Sequence, residues 1–221
     1  MTTMRQLNSA HDSASLAAFH APAQGARRGG VVVIQEIFGL TDHIREIAED
    51  FAAHGYEALA PALFDRIEPG FHAELTPEGI QKGIAAVMAS PWDQVVGDVQ
   101  AAIDALAPPV FVTGFCYGGA VAWLAAQRCT GLAAASCFYG RLINNLLDAP
   151  PRVPTILHYG RTDASIPMDA VEAVRAAHPE AQIHLYDAGH GFCRRASHDY
   201  DAPSCALALE RTRAHFAAHA G

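Results

Sequence analysis

The 221-residue chain is short of charge. Lys, Arg, Asp and Glu together make up 17% of it, while apolar residues make up 51%. That balance excludes a disordered polyelectrolyte and permits a large buried core. Basic residues are the scarcer sign, 15 against 23 acidic, giving a net charge of −8. Such a surface repels phosphate backbones, so no nucleic-acid partner is expected. An anionic small molecule is not excluded, because a few local arginines outweigh a diffuse acidic surface at short range. Apolar runs long enough to span a membrane are missing, so no membrane partner is expected. No charged segment followed by an apolar one opens the chain, and a signal peptide is not expected. The five cysteines (Cys116, Cys129, Cys137, Cys193 and Cys205) are odd in number, and none is at C-x-x-C spacing. This argues against a disulfide framework or zinc ribbon and for a reduced, cytoplasmic setting. No H-x-E, H-E-x-x-H, dinucleotide-binding or phosphate-loop pattern occurs, so neither metal nor cofactor is expected.

What is present is an alternation. Val31–Gln35 is a β-branched run of the kind buried on both faces of a parallel sheet. In Asp42–His54 the apolar residues Ile44, Ile47, Ala48 and Phe51 recur at helical spacing, and Gly55 follows as a stop. Glu57–Ala60 reads as a strand. Thr76–Met88 reads as a helix capped by Thr76 with Pro77 at its first position. Trp92–Leu106 is a further helix, ended by Pro108-Pro109. Strands then fall at Val110–Thr113, Leu132–Phe138, Thr155–Tyr159 and Gln182–Tyr186. Helices fall at Tyr117–Arg128, Met168–Ala177 and Ala202–Ala218. One mostly parallel sheet with helices on both faces accommodates this order as a single domain over residues 1–221. Residues 1–30 are less regular, with Leu16–Phe19 as an edge-strand candidate.

Between a strand and a helix lies Gly114-Phe115-Cys116-Tyr117-Gly118-Gly119, the pattern G-x-nucleophile-x-G with cysteine in place of serine. A sharp turn there lifts the central side chain, and the flanking glycines avoid a clash. The helix N-terminus favours a thiolate on Cys116, and the N–H of Tyr117 is placed to meet a developing oxyanion. In the α/β-hydrolase fold the acid and then the histidine follow the nucleophile along the chain. Asp163 lies in the loop Gly160–Pro167 after one strand, and His190 in Gly189-His190-Gly191-Phe192 after the next. Cysteine is weakly ionised near neutrality, so it needs the imidazole as base. The imidazole needs a carboxylate to fix its tautomer. Asp187 is a rival orienter, but it is too near His190 in sequence to suit the fold's loops.

These motifs resemble the dienelactone hydrolase family, the carboxymethylenebutenolidases. The likeness covers nearly the whole chain and is strongest at Gln35-Glu36-Ile37-Phe38-Gly39, Gly114–Gly119, Gly160–Asp163 and Gly189–Phe192. It implies an α/β-hydrolase fold and a Cys116–His190–Asp163 triad, with the N–H of Ile37 as second oxyanion donor beside Tyr117. It also implies that Glu36 pairs with the resting cysteine and swings away when substrate binds. Family members that act on dienelactone hold its free carboxylate with two arginines, here Arg66 and Arg194. The chain departs from the family in carrying Pro61-Ala62 where Pro-Asp is frequent and Gly191 where serine is common. The reaction so implied is cofactor-free hydrolysis of a lactone or ester, with dienelactone converted to maleylacetate by a monomer. The alternatives are a broad carboxylesterase acting on neutral esters, a non-catalytic binding protein, or a thiol-redox protein that pairs Cys116 with Cys193.

Overall fold

The computed structural model describes residues 1–220; Gly221, the last residue of the single-domain reading, lies outside them. Eight strands form one sheet in the order β1-β2-β4-β3-β5-β6-β7-β8. They are β1 (Thr3–Asn8), β2 (Ser15–Ala21), β3 (Gly29–Ile34), β4 (Tyr56–Pro61), β5 (Val110–Phe115), β6 (Leu132–Phe138), β7 (Thr155–Gly160) and β8 (Gln182–Tyr186). Pairing is antiparallel for β1 with β2 and for β2 with β4, and parallel from there onward. This is the mostly parallel sheet expected from the alternation, in the arrangement of the α/β-hydrolase fold that the family resemblance implies.

Every residue of β3, β5 and β7 is buried, as their continuous apolar or small-residue runs require of strands covered on both faces. The helices are α1 (Asp42–Ala53), α2 (Pro77–Met88), α3 (Trp92–Asp104), α4 (Tyr117–Arg128), α5 (Met168–Ala177) and α6 (Ala202–Ala218). The first and last meet through the stacked rings of Phe51 and Phe216, 6.0 Å apart, and the Arg213–Asp50 ion pair at 2.8 Å. Thr76 caps α2 as its sequence predicts, its side chain accepting from the Gly79 N–H at 3.1 Å.

The expectation at the N-terminus is corrected. The segment around Leu16–Phe19 is a strand, but it is not the edge. Residues 3–8 pair outside it, with only Leu7 buried. A strand that buries one side chain in six carries no periodic signal to read.

A charge network ties this N-terminal hairpin to the body. The guanidinium of Arg66 contacts Asp98 Oδ2 and Oδ1 at 2.8 and 2.7 Å, and Asp12 Oδ2 and Oδ1 at 2.8 Å each. Asp98, on α3, is fully buried; Asp12 lies in the turn between β1 and β2. Hydrogen bonding to Arg66 lowers Asp12 to about 2, and the two carboxylates in turn raise the arginine. Removing one partner of such a pair strands the buried charge of the other, at a cost of about 3–5 kcal/mol. Arg66→Ala is therefore expected to lower the urea-unfolding free energy by about that much and to change KM for charged and neutral esters alike. A selective loss on charged esters with unchanged stability is the contrary result.

Candidate active site

The turn after β5 is enforced by close approach. A Cβ on Gly114 would strike the carbonyl oxygen of Gly118, and one on Gly118 would meet the carbonyls of Ile34 and Gln35. The chain therefore passes through Cys116 at φ 55°, ψ −115°, a region that side chains rarely adopt. The Cys116 N–H is tied to the Phe138 carbonyl at 3.0 Å, which leaves the thiol raised at the head of α4 and half-exposed.

Cys116, His190 and Asp163 meet there. His190 Nε2 lies 3.3 Å from Cys116 Sγ, and His190 Nδ1 lies 2.7 Å from Asp163 Oδ2. Burial pulls the imidazole down, but its hydrogen bonds to Asp163 and Cys116 outweigh that and raise it to about 10. Burial raises Asp163, yet the bonds from His190 and Ser165 prevail and lower it. Asp187 is 94% exposed at its side chain and pairs instead with Arg161 at 3.2 Å.

Ser165, to which the sequence reading assigned no role, completes this arrangement. Its N–H and hydroxyl both donate to Asp163 Oδ1, at 2.8 and 2.6 Å, and its oxygen lies 3.1 Å from His190 Nδ1. Its position two residues after the aspartate, where Asp side chains bond their own loop, was the available signal.

Ile37 follows Gln35 and Glu36 in the loop that leaves β3. Among the described residues no backbone carbonyl takes its N–H, and the N–H of Tyr117, first residue of α4, belongs to the set without an intrahelical acceptor. Tyr117 is fixed from both sides, stacked on Phe64 at 5.6 Å and Trp92 at 6.0 Å. Gln35 accepts from the Leu63 N–H at 3.0 Å and so joins this wall to β3.

The remaining expected residues lie differently. Glu36 is fully buried, but its Oε2 faces Arg194 Nη1 at 3.0 Å while the thiol faces His190. The expected pairing of Glu36 with the resting cysteine is absent from this conformation. Arg194 is buried against the Phe38 ring, 5.0 Å from its centroid. Arg66 is not brought to Cys116 as a free cation, since its guanidinium is occupied by Asp12 and Asp98. All five cysteines are free, and burial raises the Cys193 thiol, so the suggested partner for Cys116 is poorly disposed to form a thiolate. The structure adds Tyr139 at φ 36°, its buried ring edge-on to His190 at 5.2 Å. Among the described residues no group of three or more His, Cys, Asp and Glu is arranged to hold a metal ion, and no helix is long and apolar enough to cross a membrane.

Comparison with known proteins identifies the family. The model of the dienelactone hydrolase family matches residues 16–220. A carboxymethylenebutenolidase of Pseudomonas putida is 34% identical over 196 residues, 82% of each chain. A Salmonella typhimurium protein assigned as a carboxymethylenebutenolidase is 34% identical over 213 residues, 86% of this chain and 77% of that one. The solved structure of a Klebsiella pneumoniae protein assigned as a dienelactone hydrolase superposes with a TM-score of 0.84 at 29% identity, covering 98% and 99% of the two chains. The chain belongs to the dienelactone hydrolase family.

The Ser165 contacts carry a test. Removing the hydroxyl takes a donor from Asp163, so the carboxyl is protonated at a higher pH and orients His190 less well. Ser165→Ala is expected to lower kcat about tenfold, the scale of one hydrogen bond to a charged group. KM should change little, and the acid limb of the rate profile should move to higher pH. A fall in kcat without that displacement would reduce Ser165 to a packing role.

Proposed function

We propose that this member of the family hydrolyses a carboxylic ester or lactone by covalent catalysis at Cys116. The observation that carries the reading is the continuous array from Cys116 Sγ through the two ring nitrogens of His190 to Asp163, at 3.3 and 2.7 Å. A thiol, a base within reach of it and an acid orienting that base are the parts nucleophilic acyl transfer requires. The thiolate attacks the carbonyl carbon, and the oxygen takes up charge toward the N–H groups of Ile37 and Tyr117. Collapse breaks the C–O bond, the imidazolium of His190 protonates the departing alkoxide, and a thioester remains on Cys116. Water, deprotonated by His190, then attacks the thioester and releases the acid and the thiol. In a lactone both products are one molecule. The free cysteines accord with a reducing, cytoplasmic setting, and a monomer suffices because all the named groups come from one chain.

Two substrate readings follow. Dienelactone, opened to maleylacetate, carries a carboxylate and needs a cation to hold it. Arg66 is occupied by two carboxylates, and Arg194 must exchange Glu36 for the substrate. A neutral ester needs no exchange, and this observation favours the carboxylesterase reading over the dienelactone one.

Kinetics on dienelactone and on a neutral p-nitrophenyl ester separate the two, with Cys116→Ala as control. The variant is expected to fold and to lose at least about 10³-fold in kcat/KM on both. Hydrolysis surviving in Cys116→Ala would overturn the cysteine mechanism. Strong preference for dienelactone would restore Arg194 as a carboxylate ligand.

A further inference from the structure

Helix α2 gives no residue to the Cys116–His190–Asp163 array, yet it lies directly against the loop that carries Ile37. The point of contact is Gly83, buried on the inner face of the helix with Gly79 and Ala86. A Cβ on Gly83 would lie 2.5 Å from the carbonyl oxygen of Ile37 and 3.0 Å from its Cβ. The first is a backbone atom, which cannot turn aside as the tip of a side chain can. Only glycine lets the helix come this close. The outer face of α2 carries Ile80, Ile84 and Met88 and is exposed, so the tight packing of the helix is all turned toward the loop.

The loop is held from its other side as well. The Gly39 N–H donates to the Glu36 carbonyl at 3.4 Å, and the Ala73 N–H donates to the Phe38 carbonyl at 3.0 Å. Gly39 also bridges to His72, and a Cβ on it would strike the Phe71 carbonyl oxygen. Helix α2 is fastened to that same segment. Lys82 donates to the His72 carbonyl at 3.0 Å, and its ammonium lies 4.6 Å from the centroid of the Phe71 ring. A Cβ on Gly79 would strike the Glu74 carbonyl oxygen. The helix, residues 71–74 and residues 36–39 thus pack as one body. If α2 backs away, it pulls on Phe38 and Gly39; if it stays, it presses on Ile37. A larger group at position 83 moves the Ile37 backbone in either case.

We propose that α2 is the buttress of the Ile37 oxyanion donor and that Gly83 is the positioning residue that seats it. The inference rests on the ester-hydrolase reading above, in which the Ile37 N–H meets the developing charge. An oxyanion donor acts at about 2.7–3.1 Å from the charged oxygen. The N–H of Tyr117 is held to such a distance by α4 and its ring stack. Ile37 lies outside the strands and needs a support of its own, and α2 supplies it without touching substrate or reacting atoms.

Gly83→Ala is expected to lower kcat for p-nitrophenyl butyrate about tenfold, less than the roughly 10²–10³ of losing a donor outright, with KM little changed. Alkylation of Cys116 by iodoacetamide should keep its wild-type rate, because the thiolate there displaces iodide from a saturated carbon and no oxyanion forms. A trifluoromethyl ketone does form one, as the thiolate adds to its carbonyl carbon and the oxygen takes the electron pair. Its binding should weaken by the same factor as kcat/KM. A changed alkylation rate would mean a generally loosened site and would overturn the assignment. So would a crystal structure of Gly83→Ala in which α2 has moved outward while the Ile37 nitrogen keeps its distance from Cys116 Sγ. Ile84→Ala, on the exposed face of the same helix, should behave as wild type, and an equal loss there would also overturn it. If Gly83→Ala does not fold, Lys82→Met, at an exposed position, removes the tie to His72. A kcat about threefold lower, the scale of one hydrogen bond, with alkylation unchanged supports the buttress, and an unchanged kcat overturns it. The two readings fail separately. Hydrolysis surviving in Cys116→Ala sinks the ester-hydrolase reading, while the position of Ile37 in the Gly83→Ala crystal structure still decides the buttress.

Discussion

The whole site hangs on one backbone constraint, the turn that holds Cys116 at positive φ. A non-glycine residue in such a conformation costs on the order of 1–3 kcal/mol, and it persists only where its surroundings over-determine it. Here they do. Strand β5 lies between β3 and β6 in the sheet, the Cys116 N–H is committed to Phe138, and α4 presses so closely on β3 that only glycine fits at 118. That close approach sets the N–H of Tyr117 beside the loop carrying Ile37. On the proposed reading, the constraint that raises the Cys116 thiol also sets the two backbone N–H groups that would meet the oxyanion.

Around that turn the charges are almost fully matched. Glu36 is set against Arg194, Asp163 against His190, and Asp98 against Arg66. In each pair the carboxylate is the more deeply buried partner, where an isolated charge is expensive. The consequence for chemistry is that both arginines the family resemblance singles out are held by the protein's own carboxylates. An arginine already gripped in this way contributes positive potential, but it has fewer donors to offer a substrate.

This divides what was legible in the sequence from what was not. Strands buried on both faces announce themselves by β-branched runs, and the strand-turn-helix around Cys116 by its glycines, because both signals are local. That Cys116, Asp163 and His190 would meet was readable because the fold makes each a strand-end loop. Strand β1 was not, since only Leu7 of its six residues turns inward. The partners of Arg66 were not either. Asp12 and Asp98 are 54 and 32 residues away, and no periodicity links them to it. Ser165 was visible as a loop residue, but its bond to His190 depends on two loops meeting in space. His43 reads as an ordinary polar position at the start of an amphipathic helix, and its unmatched nitrogen appears only once α1 is packed against the Phe115 ring.

Glu36 joins these threads. Its carboxylate has two claimants: the Cys116 thiol, which the family resemblance makes its resting partner, and Arg194, which it faces in this structure. With Oε2 on the arginine, the thiol lies against His190. On the proposed reading this is the arrangement in which Cys116 is with its base, and Arg194 is the group that holds the carboxylate there. A ligand would move the carboxylate between arginine and thiol only by as much as its affinities for the two states differ.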